Sequence, residues 1–212
     1  MIAPIEALAA IPDELESAAA APLLCAGITT FNALRRSGAL PGDLVAVLGV
    51  GGLGHLGVQF ANKFGYKTVA IGRDKESEAL AKRLGAHAYL DSSAVDAAAE
   101  LKKLGGARVI LSTAPSGKAM SALIDGLGAN GEMLVIGIGP DPISATAVQL
   151  VIGNHGVKGW ASGTAVDSED TLRFSEYTGV RAMIEKYPLA KVNEAWARLV
   201  SGNAQFRVVL TM

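Results

Sequence analysis

The sequence predicts an α/β protein: a doubly wound, six-stranded parallel sheet with helices on both faces. Three observations carry that prediction. Apolar, β-branched runs alternate with longer helical patterns, as repeated βαβ units require. Gly65, Gly85, Gly105 and Gly131 fall near helix ends or in the turns beyond, where glycine stops a helix. Of the 212 residues 50% are hydrophobic but only 5% aromatic, so the core must be built from Ala, Val, Leu and Ile. Parallel sheets buried on both faces have that composition.

In chain order, the uncharged run Leu44-Val45-Ala46-Val47-Leu48 gives a first strand over 44–49, and a helical pattern follows over 52–64. Thr68-Val69-Ala70-Ile71 gives a second strand over 67–72. The helix over 75–84 carries Glu76, Glu78, Lys82 and Arg83 as a solvated face with i,i+4 pairs. Strands over 88–91, 107–112, 132–137 and 156–160 then alternate with helices over 93–104, 116–127 and 145–153. Right-handed crossovers wind these into one sheet. The ends stand apart from the repeat. Residues 1 to about 25 read as a short strand, a loop at Ile11-Pro12-Asp13 and an Ala-rich helix. A strand over 182–188, a helix over 192–200 and a strand over 206–212 close the chain. Both ends are expected to pack against a partner domain rather than the sheet. The expected division is a lead-in (1–25), a nucleotide-binding core (26–178) and a return segment (179–212).

A formal net charge of −1 gives no electrostatic case for nucleic acid or an anionic membrane surface. Charges or glycine-rich turns interrupt each apolar run before it reaches membrane-spanning length, and no basic n-region marks a secretory signal. The single cysteine, Cys25, rules out an internal disulfide framework and suits a reducing compartment. The expectation is a soluble, cytoplasmic protein.

The chemistry gathers where the first strand ends. Gly49-Val50-Gly51-Gly52-Leu53-Gly54 has the spacing G-x-G-x-x-G and sits between a strand and a helix. Gly49 permits a tight turn, Gly51 lets the backbone approach a pyrophosphate, and Gly54 lets helix and strand pack closely. Gly52 and Leu53 stand at the helix start, where free N–H groups and the dipole make an anion site. In this context the turn reads as a Rossmann-type dinucleotide site. The plain alternative, in a chain with 25 glycines, is a turn used only for packing.

The end of the second strand decides which dinucleotide fits. An acid there would hydrogen-bond the adenosine ribose of NAD and repel a 2′-phosphate. This chain places Gly72 at that point and Arg73 directly after it. Losing the carboxylate and gaining a guanidinium favours NADP, with NAD possible if Asp74 holds the ribose instead. Lys75 is a second candidate for the phosphate, or a solvated lysine at a helix start.

The run Ala21-Pro22-Leu23-Leu24-Cys25-Ala26-Gly27-Ile28-Thr29-Thr30-Phe31-Asn32-Ala33-Leu34 precedes the glycine turn. With that turn, with Lys82-Arg83-Leu84-Gly85-Ala86-His87 and with the ending Gly202-Asn203-Ala204-Gln205-Phe206-Arg207-Val208-Val209-Leu210, it resembles the zinc-dependent alcohol dehydrogenases. These belong to the medium-chain dehydrogenase/reductase superfamily, and the likeness is to its yeast and cinnamyl-alcohol-dehydrogenase-like branches. The resemblance covers nearly the whole chain. It implies hydride exchange between a nicotinamide and a small alcohol or aldehyde, with a catalytic zinc polarising the oxygen.

The resemblance makes Cys25 one ligand of that zinc, where a lone cysteine on an apolar helix would otherwise read as a small buried hydrophobe. The family draws its other zinc ligands, and the proton-relay hydroxyl, from a GroES-like catalytic domain that precedes this region. A catalytic zinc needs three protein ligands, and this chain offers one cysteine and three scattered histidines. The expectation is therefore a cofactor-binding part with terminal segments left over from the catalytic domain. It has an orphaned Cys25, holds no zinc and is inactive alone.

The resemblance also places Thr29 beside the nicotinamide and Arg207 at the pyrophosphate. Thr113 and Ala114 follow the fourth strand, where the sheet's switch point exposes ligand. The resemblance further implies that Gly137, Ile138, Ala161 and Ser162 frame the nicotinamide carboxamide through backbone groups. His55 is expected to be a tolerated polar residue at the helix start, and His87 and His155 loop or strand-edge residues. Trp160 ends an edge strand that pairs across a homo-oligomer in the family. Three other functions compete with the leading one: a non-catalytic NADP-binding module, a zinc-free quinone reductase and a methyltransferase. Cys25 in its matching context argues against the quinone reductase. The missing acid and the closing Arg207 strand argue against the methyltransferase.

Overall fold

The six apolar runs become the six strands of one parallel sheet in the computed structural model, which describes residues 2–212. The elements are α1 (Ser17–Ala20), α2 (Ala26–Arg35), β1 (Leu44–Leu48), α3 (Gly54–Lys63), β2 (Lys67–Gly72), α4 (Ser77–Arg83), β3 (Ala88–Asp91), α5 (Ala97–Lys103) and β4 (Ala107–Ser112). They continue with α6 (Gly117–Leu123), β5 (Leu127–Val135), α7 (Ala147–Ile152), β6 (Gly156–Gly159), α8 (Ala165–Thr178), β7 (Ile184–Pro188), α9 (Val192–Val200) and β8 (Arg207–Thr211). The sheet order is β3-β2-β1-β4-β5-β6. β7 and β8 form a separate parallel pair joined through α9.

Alternation along β1 divides the core into two layers. Val45 and Val47 face α2, α3 and α8, where Phe31, Phe60, Phe64 and Phe174 pack ring against ring. Leu44, Ala46 and Leu48 face α5 and α6 with Leu101, Met120 and Leu123. Every residue of β1 is buried, as a central parallel strand covered on both faces must be.

Several boundaries shift for local reasons. Helix α4 starts two residues later than expected because the Asp74 carboxylate accepts the Ser77 N–H at 2.8 Å and holds 74–76 as a turn. Asp91 accepts from Ser93 in the same way, so α5 waits until Asp96 caps it through the Ala99 N–H. β5 starts at Leu127 rather than 132, because Leu127 pairs with Ala107 across a register shift.

One expectation fails and one element goes unread. The first described residues form a 3-10 turn at Ile5–Ala7 rather than a strand, and none of them joins either sheet. Met1 lies outside the described residues. The sequence also conceals α8, the longest helix among the described residues, whose buried positions are Asp167, Thr171, Leu172 and Ser175. A largely polar inner face has no hydrophobic period to read.

The lead-in segment buries Leu15, Ala20 and Leu23 in the core beside α2, while Ile2, Ile5 and Leu8 stay exposed. Among the described residues no single helix is long and apolar enough to cross a membrane. Ser17–Leu24 and Ala26–Arg35 pass that test only as a pair bent by 55°.

Candidate functional site

The switch in strand order falls between β1 and β4, and the glycine turn lies at their carboxyl ends. Gly49 leaves β1 with φ +89, a left-handed backbone that glycine adopts without steric cost. A Cβ on Gly54 would fall well inside contact distance of the Gly49 carbonyl oxygen, so the start of α3 approaches β1 only because that atom is missing. A Cβ on Gly51 would meet no heavy atom within 4 Å. The space over Gly51 is open to a ligand and lies at the positive end of the α3 dipole.

Residues distant in sequence brace this turn. The Thr113 hydroxyl lies 2.9 Å from the Leu48 carbonyl oxygen and 3.0 Å from that of Gly49, sharing its proton between them. Ala114 packs beside Gly49. From the other side, Arg207 at the start of β8 donates from Nε to the Gly52 carbonyl at 3.0 Å. Burial lowers the pKa of that guanidinium from its ordinary value.

His55 corrects the sequence reading. Its ring is fully buried, with Nδ1 2.9 Å from the Gly51 carbonyl oxygen and Nε2 accepting the Met183 N–H at 3.1 Å. It also stacks against Phe206 at 4.9 Å between centroids. Burial and the Arg207 charge push its pKa down to about 4 against the Gly51 hydrogen bond, so the ring is neutral at pH 7. The local signal was an ionisable ring at the second position of an apolar helix; its far partner was invisible.

At the end of β2, Gly72 is half-buried while Arg73, Asp74 and Lys75 are exposed. The Asp74 carboxylate is engaged by the Ser77 N–H at the start of α4. A cleft of about 440 Å³ opens beside this edge, lined by Leu48, Ile71, Ser92, Val95, Ser116 and Ala119 among others.

The remaining candidates lie along the same edge. Thr29, in the first turn of α2, turns its hydroxyl back to the Cys25 carbonyl at 2.8 Å. Leu53 is half-buried at the head of α3. Gly137 is buried beyond β5, where a Cβ would crowd the carbonyls of Thr113 and Ala114; Ile138 next to it is almost wholly exposed. Ala161 and Ser162 are exposed beyond β6. The Ser162 carbonyl accepts from Asn32 Nδ2 at 3.2 Å, a tether from α2 that the sequence reading missed. Asn32 Oδ1 accepts from Arg35 and Arg36, and both arginines also reach Asp167 on α8. Hydrogen bonding from the Thr164 backbone, aided by Arg36, holds the Asp167 carboxyl down to about 2.

The histidines do not converge. His87 accepts the Thr68 N–H at 3.0 Å beside β2, and His155 sits at the foot of β6. Among the described residues no three His, Cys, Asp or Glu side chains are placed to hold a metal. The donor set present therefore does not fit a catalytic zinc, and no chemical step is assigned to one.

Comparison with known proteins matches residues 52–185 to the family described as zinc-binding dehydrogenase. The chain is 47% identical over 207 residues to the alcohol dehydrogenase patD of Penicillium expansum, covering 98% of this chain and 61% of that protein. It superposes on a cinnamyl alcohol dehydrogenase of Sorghum bicolor with TM-score 0.83 at 32% identity, over 95% of this chain and 57% of that one. The CAD of Helicobacter pylori, whose structure is complexed with NADP(H), gives TM-score 0.78 at 25% identity, over 95% of this chain and 57% of that one. The chain thus spans about three-fifths of the length of the curated relative, 61%.

Proposed function

The chain belongs to the zinc-binding dehydrogenase family, and from that membership we propose that it is the cofactor-binding portion of an NAD(P)-dependent alcohol dehydrogenase. The observation that carries the proposal is the glycine turn at the β1/β4 switch, open above Gly51 and closed from the side by Arg207. Gly51, Gly52 and Leu53 would hold the cofactor's pyrophosphate through their backbone N–H groups and the α3 dipole. Arg207, anchored through Nε, offers its terminal nitrogens to the phosphate oxygens. Adenosine takes the cleft between Leu48, Ile71 and Ala119. Thr29, Leu53, Thr113, Ala114, Gly137, Ile138, Ala161 and Ser162 would hold the nicotinamide.

When bound, the nicotinamide supplies the chemistry: the alcohol's carbinol C–H gives it a hydride, the hydroxyl loses a proton, and an aldehyde or ketone results. The residues of this chain bind and orient the ring. Cys25 stands exposed at the head of α2, with no second and third donor beside it among the described residues. The activity assigned to this chain by itself is cofactor binding, without alcohol turnover. β6 is the sheet edge through which two copies pair.

NADP is the preferred cofactor. Arg73 offers a cation to a 2′-phosphate, and the Asp74 carboxylate is occupied by the Ser77 N–H. Solved relatives hold either cofactor, NADP(H) in the Helicobacter pylori protein and NAD in the acetophenone reductase of Geotrichum candidum, so the choice rests on Arg73. Calorimetric titration with NADPH and NADH, with metal measured on the same sample, tests the reading. Tighter NADPH binding, by about tenfold for one charge-assisted contact, is expected. Failure to bind either cofactor would overturn the site, and preference for NADH would overturn only the role of Arg73.

A further inference from the structure

The end of β2 has a steric feature that the sequence does not reveal. Parallel register sets Ala70 beside Tyr89 and Gly72 beside Asp91. The Tyr89 ring leans across Gly72. A Cβ at position 72 would overlap the phenol oxygen and stand 2.9 Å from Cζ and 3.1 Å from Cε2. The hydroxyl is itself engaged, donating to the Asp74 carbonyl at 2.5 Å. Burial raises the phenol's pKa above its ordinary value, so the hydroxyl remains a donor at neutral pH. The Gly72 carbonyl in turn accepts from the Ser92 N–H at 2.9 Å and the Ser92 hydroxyl at 2.7 Å. The turn over 72–77 is thus tied to β3 and to α4 at both ends.

We infer that Tyr89 is a specificity-determining residue of the adenosine-ribose end of the site. Its ring fills the volume that a ribose-binding carboxylate at position 72 would need. Its hydroxyl fixes the turn that presents Arg73. Cofactor choice is then a property of the pair at positions 72 and 89. The absence of an acid at 72 follows from the tyrosine, and an acid can return only when the ring leaves. This deepens the NADP reading and rests on it.

The experiment is a double-mutant cycle on the intact chain with Gly72→Asp, Tyr89→Ala and both together, plus Tyr89→Phe as the variant that keeps the ring. Thermal midpoints are read without ligand, and dissociation constants with NADPH and NADH. Gly72→Asp is expected to lower the midpoint by several degrees beside Tyr89 and by less than half as much in the Tyr89→Ala background. The double variant is expected to prefer NADH by about tenfold, the scale of one charge-assisted contact. Tyr89→Phe should keep the midpoint within a few degrees and lose about threefold of the NADPH preference, as one neutral hydrogen bond allows. Equal loss of midpoint in both backgrounds overturns the steric claim. Reversal of preference by Gly72→Asp alone, as complete as in the double variant, overturns the specificity claim. If the unmutated chain binds neither cofactor or prefers NADH, the NADP reading fails, while the ligand-free midpoints still decide the coupling of 72 and 89.

Discussion

Met183 donates its backbone N–H to Nε2 of His55 at 3.1 Å, and Nδ1 of the same ring lies 2.9 Å from the Gly51 carbonyl oxygen. Only the neutral Nδ1–H tautomer satisfies both partners, because Nε2 must accept. One imidazole therefore couples the glycine turn to the segment leading into β7. Protonation would set two donors against each other at Met183.

That arrangement fixes a pH dependence. The folded pKa is about 4 against 6.5 for the free side chain. Between those values the unfolded chain binds a proton that the folded chain refuses. Stability from this group is complete above pH 6.5 and is lost as pH falls toward 4, amounting to about 3 kcal/mol. Urea midpoints at pH 7, 6, 5 and 4 should fall steeply for the native chain and less steeply for His55→Gln. Equal slopes would show that His55 does not carry the effect.

Gly51 and Gly54 separate binding from folding within one turn. Gly54→Ala drives a methyl into the Gly49 carbonyl, which the backbone cannot withdraw without opening the turn. A loss of roughly 3 kcal/mol is expected by thermal or denaturant unfolding. Gly51→Ala meets open space at a residue whose φ is not positive. It should leave stability within about 0.5 kcal/mol and weaken dinucleotide binding by tenfold or more, since the methyl takes the ligand's place. Comparable thermal losses in both variants would contradict this division.

The contrast shows what a sequence can disclose. Gly49, Gly51 and Gly54 are legible because their reasons are local: a positive φ, an open face and a contact five residues away. The strands are legible because runs such as Leu44–Leu48 are buried on both sides. α8 is not, because Asp167, Thr171 and Ser175 occupy its inner face, and the capping box at Thr164 and Asp167 was its one local signature. The partners of His55 and Gly72 come from distant parts of the chain, the segment before β7 and β3, so Met183 and Tyr89 could not be paired with them from spacing. The short strand expected at the start of the chain is instead a 3-10 turn at Ile5–Ala7, with Ile2 and Ile5 exposed.

Arg207 tests the return segment's part in binding. Its Nε bond to the Gly52 carbonyl fixes the guanidinium beside the turn. Arg207→Gln should weaken NADPH binding by about tenfold to a hundredfold, the range for a charge-assisted contact. The salt dependence of binding should fall with it. Arg207→Lys should recover part of the affinity, because it restores the charge but not the planar fork. Unchanged affinity and salt dependence in Arg207→Gln would remove Arg207 from the phosphate site.

Asp167 holds α8 to α2 and, through that contact, to the loop beyond β6. Its Oδ1 receives Arg35 Nη2 at 2.5 Å and Arg36 Nη2 at 3.0 Å, and its Oδ2 accepts the Thr164 N–H at 2.9 Å. The same arginines bond Asn32, which tethers the Ser162 carbonyl. Asp167→Asn keeps the shape but removes the charge, and should cost roughly 2 kcal/mol, the scale of hydrogen bonds to an ionised group. The sign with pH follows from the depressed folded pKa of about 2 against 3.8. The carboxylate stabilises the fold fully above pH 3.8 and loses that contribution as pH falls through 2. Native chain and Asp167→Asn should therefore differ in denaturant midpoint at pH 7 and converge near pH 2. A gap that stays constant over this range would mean that packing at position 167, rather than its charge, joins the two helices.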